Sequence, residues 1–353
     1  MDAGPAKLGR RVRRPAIALL VCLAATGVFV LGAVPVAGGR PLGAQRGALS
    51  DALTVADSGA VNFSAVVHPH GRATTAFFQF GLAARYREPM PSHPIYDMST
   101  TALHLAPAFH VYSVSGTASG LVPNALYNLR LVARSSAGTV YSPNATFRTA
   151  KDRAPPYPLI GAMVNLEPAS GLVLIRPPRA NAAQVSAATR LVAGPSFHPL
   201  TEARQLPIGS QVDARAGTFR LVVAGPHPRQ TQRVTLTGGV FSLAQSTQGS
   251  SRGLTTVNLL QDDFPGGPAY HGCAGHSSAV LQTVGAVDQG GRFVTLTRDS
   301  SGTARSAGTA WDTSVRCDGT LTVVHHGTVV IFDYPLHQTV AVNAGQRYLA
   351  GAP

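Results

Sequence analysis

The chain has 353 residues, enough for two domains of ordinary size, with 37 glycines, 26 prolines and only 7% aromatic residues. That composition suits many short strands joined by turns and argues against long helices as the main architecture. The net charge of +13 rests almost wholly on arginine, since Lys7 and Lys151 are the only lysines. Such a charge could serve an anionic partner, but no basic run with interleaved aromatics comes after Arg14, so no specific nucleic-acid site is expected. Biased codon usage and a basic amino-terminal head account for the excess.

That head, with Arg10, Arg11, Arg13 and Arg14, precedes an apolar run over residues 16–37. About 20 apolar residues suffice to cross a bilayer as a helix, and the basic flank places the rest of the chain outside the cytoplasm. Residues 1–37 therefore read as a basic head with a signal peptide or signal anchor, membrane contact running through 16–37. Val36, Ala37 and Gly38 would serve as a small-residue cleavage site, whereas the length of the run favours an anchor. Cys22, inside this run, reads as one more small apolar residue.

Residues 38–50 lack periodicity and read as a flexible linker. Alternation of apolar and polar residues then predicts strands over 60–67, 75–81 and 108–116, with a further strand beginning at Tyr127 and a closing stretch over 140–149. In the fourth of these, Tyr127, Leu129, Leu131 and Ala133 stand against Asn128, Arg130 and Arg134, and Leu121 and Pro123 mark a corner just before it. A tyrosine that begins a late sandwich strand, ring buried and hydroxyl reaching back, is a tyrosine corner. Residues 85–96 have no clear period. Arg85, Tyr86, His93 and Tyr96 make this the candidate binding loop, the alternative being a solvated excursion.

The turn at His68, Pro69, His70 and Gly71, the aromatics Phe78 and Phe80, the corner Leu121, Pro123 and Tyr127, and the closing Tyr141, Phe147 and Thr149 resemble the fibronectin type III family across residues 51–149. The resemblance implies a β-sandwich of about seven strands that holds, spaces or binds rather than catalyses. The family's early buried tryptophan is missing, because the sole tryptophan is Trp311, so Phe78 or Phe80 must take its place. No Arg-Gly-Asp is present, so integrin-type adhesion does not carry over.

Residues 150–158 are charged and then proline-rich, and read as a stiff linker. Residues 159–353 form a second all-β domain, with strands expected over 171–175, 218–223, 240–244, 254–260, 292–297 and 320–333; only 180–191 hints at helical spacing. A weak internal repeat pairs 208–223 with 307–324, each half continuing into a glycine-led strand, which suggests two strand–turn–strand units sharing a core. The second copy, residues 307–350, resembles the FecR-type periplasmic regulatory domain in its turn glycines, its valine strand and the Gly345-Gln346 turn. That resemblance implies an envelope sensor acting through a membrane partner.

His271, Cys273 and His276, with Asp262 and Asp263 upstream and Cys317 downstream, form the only local cluster of metal-ligand type. Outside the cytoplasm two thiols in one domain are expected to oxidise, so a Cys273–Cys317 disulfide is expected in preference to a metal site. No nucleophile elbow, zinc-protease helix or phosphate loop occurs. The only glutamates are Glu88, Glu167 and Glu202, and adjacent Asp262 and Asp263, like His325 and His326, would face opposite ways on a strand. The expectation is an all-β, extracytoplasmic binding or display protein, membrane-anchored or secreted, with no catalytic residues and no cofactor. Its partner would be an envelope polymer or protein, with envelope sensing as the alternative.

Overall fold

The computed structural model describes residues 28–29, 52–55, 60–87, 89–178, 197–262, 266–273, 275 and 277–352. Apart from Val28–Phe29, which pairs with Ala52–Val55, the apolar amino-terminal run lies outside the described residues, as does 180–191. Among the described residues the only helices are short 3-10 turns, and none is long and apolar enough to cross a membrane. The fold is all-β.

The first half is a two-sheet sandwich. One sheet orders Val28–Phe29, Ala52–Val55, Val61–Val67 and Tyr112–Ala118. The other orders Ala145–Arg148, Leu126–Ser135, Thr74–Leu82 and Met98–Ser99, with Leu103–Leu105 and Gly138–Tyr141 pairing at its flanks. Alternation fixes which side chains turn inward. Val61, Phe63, Ala65 and Val67 from one sheet meet Ala76, Phe78, Phe80, Tyr127, Leu129 and Leu131 from the other, all buried. Phe63 is the hub, its ring 5.4 Å from Phe78, 5.7 Å from Phe80 and 5.2 Å from Phe147. Four phenylalanines thus fill the centre of the sandwich. Two boundaries differ from expectation. The third strand starts at Tyr112 rather than 108, and the closing stretch breaks at Pro143, which has no N–H for the ladder.

Tyr127 is 2% exposed, and its hydroxyl accepts the Val122 N–H at 2.9 Å. Thr149, at the end of the closing strand, donates to the Val122 carbonyl at 2.7 Å and accepts the Ala125 N–H at 2.9 Å, so the corner is held from both sides. Burial pushes the Tyr127 phenol up to about 12 against the lowering effect of the Val122 bond. Tyr127→Phe leaves the buried Val122 N–H without an acceptor and should destabilise the sandwich by about 1–2 kcal/mol. Urea unfolding measures it, and an unmoved midpoint would rule out the corner's contribution.

The proline-rich linker is docked rather than a free spacer. The Pro156 carbonyl accepts from Asn165 Nδ2 at 2.8 Å and Gln205 Nε2 at 3.2 Å, and the Asp152 N–H donates to Glu202 Oε1 at 3.0 Å. The corner itself reaches the second half, with Asn124 Nδ2 donating to the Thr201 carbonyl at 3.3 Å and Thr201 Oγ1 to that of Pro123.

The second half is one 15-stranded sheet. Its main path runs Gln338–Asn343, Thr328–Asp333, Ser300–Ala304, Phe293–Leu296, Thr255–Leu259, Val240–Gln245, Gln211–Ala224, Thr231–Thr237, Val280–Asp288, Ala310–Arg316, Gly319–His326 and Arg347–Gly351. Met163–Arg176 branches from Gln211–Ala224 and carries His198–Pro199 and Arg204–Pro207. The sheet curls around a single core that includes Phe219, Phe241, Phe293 and Trp311. Trp311 Nε1 donates to Thr295 Oγ1 at 3.3 Å. The two ends of the path meet through Tyr348, whose hydroxyl donates to Asp333 Oδ2 at 2.8 Å and accepts from Gln338 Nε2 at 2.9 Å.

The two halves of the expected repeat are built differently. Ala310–Arg316 and Gly319–His326 form a hairpin around Cys317 and Asp318, as the Asp318-Gly319 pair favours. The matching Gln211–Ala224 is one unbroken strand of 14 residues that changes partner midway, from Val240–Gln245 to Thr231–Thr237. Asp213 holds Arg215 through Oδ1–Nε at 3.0 Å and Oδ2–Nη2 at 2.7 Å, and no Asp-Gly pair intervenes to turn the chain. The run expected over 320–333 is in turn two strands, separated at Gly327.

Candidate functional site

The loop at 85–96 is held to the sheet at its two ends, while 89–90 and 92–94 are exposed. Arg87, rather than Arg85, anchors it, through Asp97 Oδ2 at 2.8 Å and the Leu82 carbonyl at 3.2 Å. The loop lies so close to Gly81 that a Cβ there would sit 2.3 Å from the Ile95 carbonyl oxygen, which only glycine permits. The four loop residues go to different places. Tyr86 packs on the sandwich core, with Arg85 5.5 Å from its ring centroid, while His93 is exposed and without a partner among the described residues. Tyr96 alone joins a wider arrangement.

That arrangement stands on the outward face of the four-stranded core of the second sheet. The Arg130 guanidinium lies 4.1 Å from the Tyr96 ring centroid and 4.2 Å from that of Tyr141, so it is clasped between two tyrosines. Gln79 Oε1 accepts from Arg130 Nε at 3.0 Å and Nη2 at 2.8 Å, fixing the plane of the guanidinium. Tyr96 Oη donates to Asn144 Oδ1 at 2.7 Å. Burial raises the Tyr96 phenol, and Arg130 partly offsets the rise. Beside this stack Arg134 lies 5.0 Å from the Phe77 ring, and the layer covers Val132, which is fully buried although it points away from the core. Cation–π contacts at such partly exposed sites contribute about 0.5–1 kcal/mol each. The arrangement presents flat aromatic faces and amide groups in a fixed pose.

Period-two alternation placed Arg130 outward, but Tyr141 and Gln79 could be joined to it only through strand pairing. Tyr141 sits opposite Val132 and Gln79 opposite Arg130.

Cys273 and Cys317 form a disulfide with Cα atoms 5.5 Å apart, which occupies both sulfurs of the His/Cys cluster. His271 Nδ1 is 2.9 Å from Asp262 Oδ1, while Asp263 and His276 lie outside the described residues. Next to the bridge the Arg298 guanidinium stacks 3.9 Å from the Tyr270 ring centroid. Asp299 is fully buried and accepts from Arg298 Nε at 2.8 Å and Thr320 Oγ1 at 3.0 Å. This cluster pins the loop to the sheet.

His325, expected only to face away from His326 on its strand, has a partner. Its Nε2 is 2.8 Å from Asp312 Oδ2, and both line a concavity of about 360 Å³ on the outer face of the 15-stranded sheet. A register shift between Ala310 and Trp311 brings the histidine to the carboxylate, and no spacing in the sequence announces that shift. Comparison with protein-family models, with curated proteins and with solved structures finds no match.

Proposed function

We propose that this chain is a non-catalytic binding and display module of a bacterial cell envelope, a fibronectin type III-like sandwich carried on a second all-β domain. The observation that carries the reading is the Tyr96–Arg130–Tyr141 stack, an aromatic and arginine surface fixed by Gln79 and Asn144 on an open sheet face. Aromatic and arginine anchors of this kind concentrate binding energy. The order of the sandwich strands and the Tyr127 corner support the family reading, and the disulfide accords with an oxidising compartment. The ligand class this surface suits is an envelope polymer.

Tyr141 is 49% exposed, so Tyr141→Ala should leave the fold intact. In cells making the full chain, the protein should fractionate outside the cytoplasm. Binding of the purified chain to isolated cell-wall material should weaken at least about tenfold in the variant. Equal binding by both proteins would sink the assignment of this face. Envelope sensing of FecR type is the second reading. It draws on the hydrogen-bonded joint between the corner and Thr201, which could relay a change in the sandwich, and it requires a membrane partner that co-purifies only when residues 307–350 are present.

A further inference from the structure

On the outer face of the 15-stranded sheet, Thr237, Gly285 and Asp312 stand side by side across three adjacent strands. The middle position has no side chain, so a hydroxyl and a carboxylate flank a gap. A Cβ at residue 285 would lie 2.9 Å from Asp312 Oδ1, so glycine leaves the space that this oxygen faces. The carboxylate is held in place from its other side, Oδ2 being bound to His325 Nε2 at 2.8 Å. Asp312 Oδ1 has no partner among the described residues and remains an available acceptor. Thr283, one step along the central strand, shares a hydroxyl bond of 2.8 Å with Ser314 and keeps an orientable O–H at the rim. The concavity holds about 360 Å³, at the lower end of the range for small-molecule sites, and its floor includes Gly285 and the exposed side chain of Val287.

Charge selects the ligand. In a chain of net charge +13, no arginine or lysine lines this hollow, and its one fixed ionic group is an acceptor for hydroxyls. Phosphates, sulfates and uronic acids would meet a carboxylate and no arginine or lysine. A neutral molecule with an apolar ring face and several hydroxyls fits both the floor and the rim. We infer that the hollow around Gly285 is a binding site for a neutral sugar of one or two rings, with Asp312, oriented by His325, accepting from its hydroxyls. This site is separate from the Tyr96–Arg130–Tyr141 face and does not depend on that reading.

The Trp311 ring is buried in the core behind the hollow, so occupancy is read by isothermal titration calorimetry, which needs no label. The full chain is titrated with glucose, galactose, mannose, maltose and lactose, with glucuronate, inorganic phosphate and calcium as the contrasting probes. At least one neutral sugar should give a saturable change below about 50 mM, and Asp312→Asn should weaken it at least about tenfold. Gly285→Ala, which fills the gap, should do the same. Asp312→Asn keeps the shape of the side chain, so the test stands even if Gly285→Ala does not fold. Three results would overturn the inference: no response to any neutral sugar, a stronger response to glucuronate, phosphate or calcium, or a sugar response unchanged in both variants.

Discussion

Replacing Cys273 and Cys317 together by serine will lower the stability of the second domain by about 3–4 kcal/mol, the value that chain entropy assigns to a crosslink of this span. The two cysteines are 44 residues apart. One comes just after the short turn Tyr270–Gly272 and the other sits in the hairpin turn after Ala310–Arg316, so the bridge ties a long loop to the sheet. Among the described residues the loop is also held by Arg215 Nη1, which donates to the Gly266 carbonyl at 2.9 Å, and by the stack of Arg298 on Tyr270. The Asp262 N–H donates to the Pro268 carbonyl at 2.7 Å, and the Cys317 N–H to that of Ala279 at 3.0 Å. The loss should appear in denaturant unfolding and be reproduced in the parent protein by reductant. Limited proteolysis should cut the freed loop first. A double variant with the parent's midpoint would show that the bridge adds nothing to the native state over its unfolded chain.

The second large effect is a dependence on pH. Asp288 is 1% exposed; its Oδ1 accepts the Gly290 N–H at 2.9 Å, and its Oδ2 has no partner among the described residues. Burial pushes its carboxyl up to about 6, against the smaller lowering effect of backbone bonds from Gly290 and Gly291. An unfolded aspartate loses its proton near ~4. Between about pH 4 and 6 the native protein therefore holds a proton that the unfolded chain has released, and stability falls as pH rises through that window. A shift of about two units corresponds to roughly 3 kcal/mol, fully lost above about pH 6. Asp288→Asn removes the charge and nearly keeps the shape. The difference in unfolding free energy between variant and parent should grow in the variant's favour from about pH 4 to 7 and then level off. A difference that is flat, or that runs the other way, would show that Asp288 keeps an ordinary carboxylate in the folded state.

Much of the sandwich was legible because its inward positions are large and apolar and repeat every second residue, as in Phe63, Phe78, Tyr127 and Leu129. The polar strands were not. Thr231–Thr237 alternates cleanly in burial, yet its inward set is Gln232, Val234 and Leu236, and Gln232 is buried because its amide donates to the Gly253 carbonyl at 2.8 Å. A strand that satisfies a buried amide in this way looks like a loop by hydropathy alone. The candidate sites were legible only in part, because each is assembled by pairing across strands. Tyr96 was singled out within its loop, but Arg130 and Tyr141 reach it through ladder register, and Asp312 meets His325 through a shift in the hairpin. The disulfide was legible because compartment and cysteine count constrain it without any knowledge of the fold.

The two bonds made by Tyr348 bear on self-association. An open sheet ends in two strands whose outer N–H and C=O groups can template another chain. Here Gln338–Asn343 and Arg347–Gly351 are consecutive in sequence yet lie at opposite ends of the strand order, and they come together across a seam that the Tyr348 hydroxyl staples to Gln338 and Asp333. A second copy adding a strand to either edge must first pull that staple apart. The chain thus shields the two end strands of this path with one phenol, at the seam where a second copy would otherwise begin to stack.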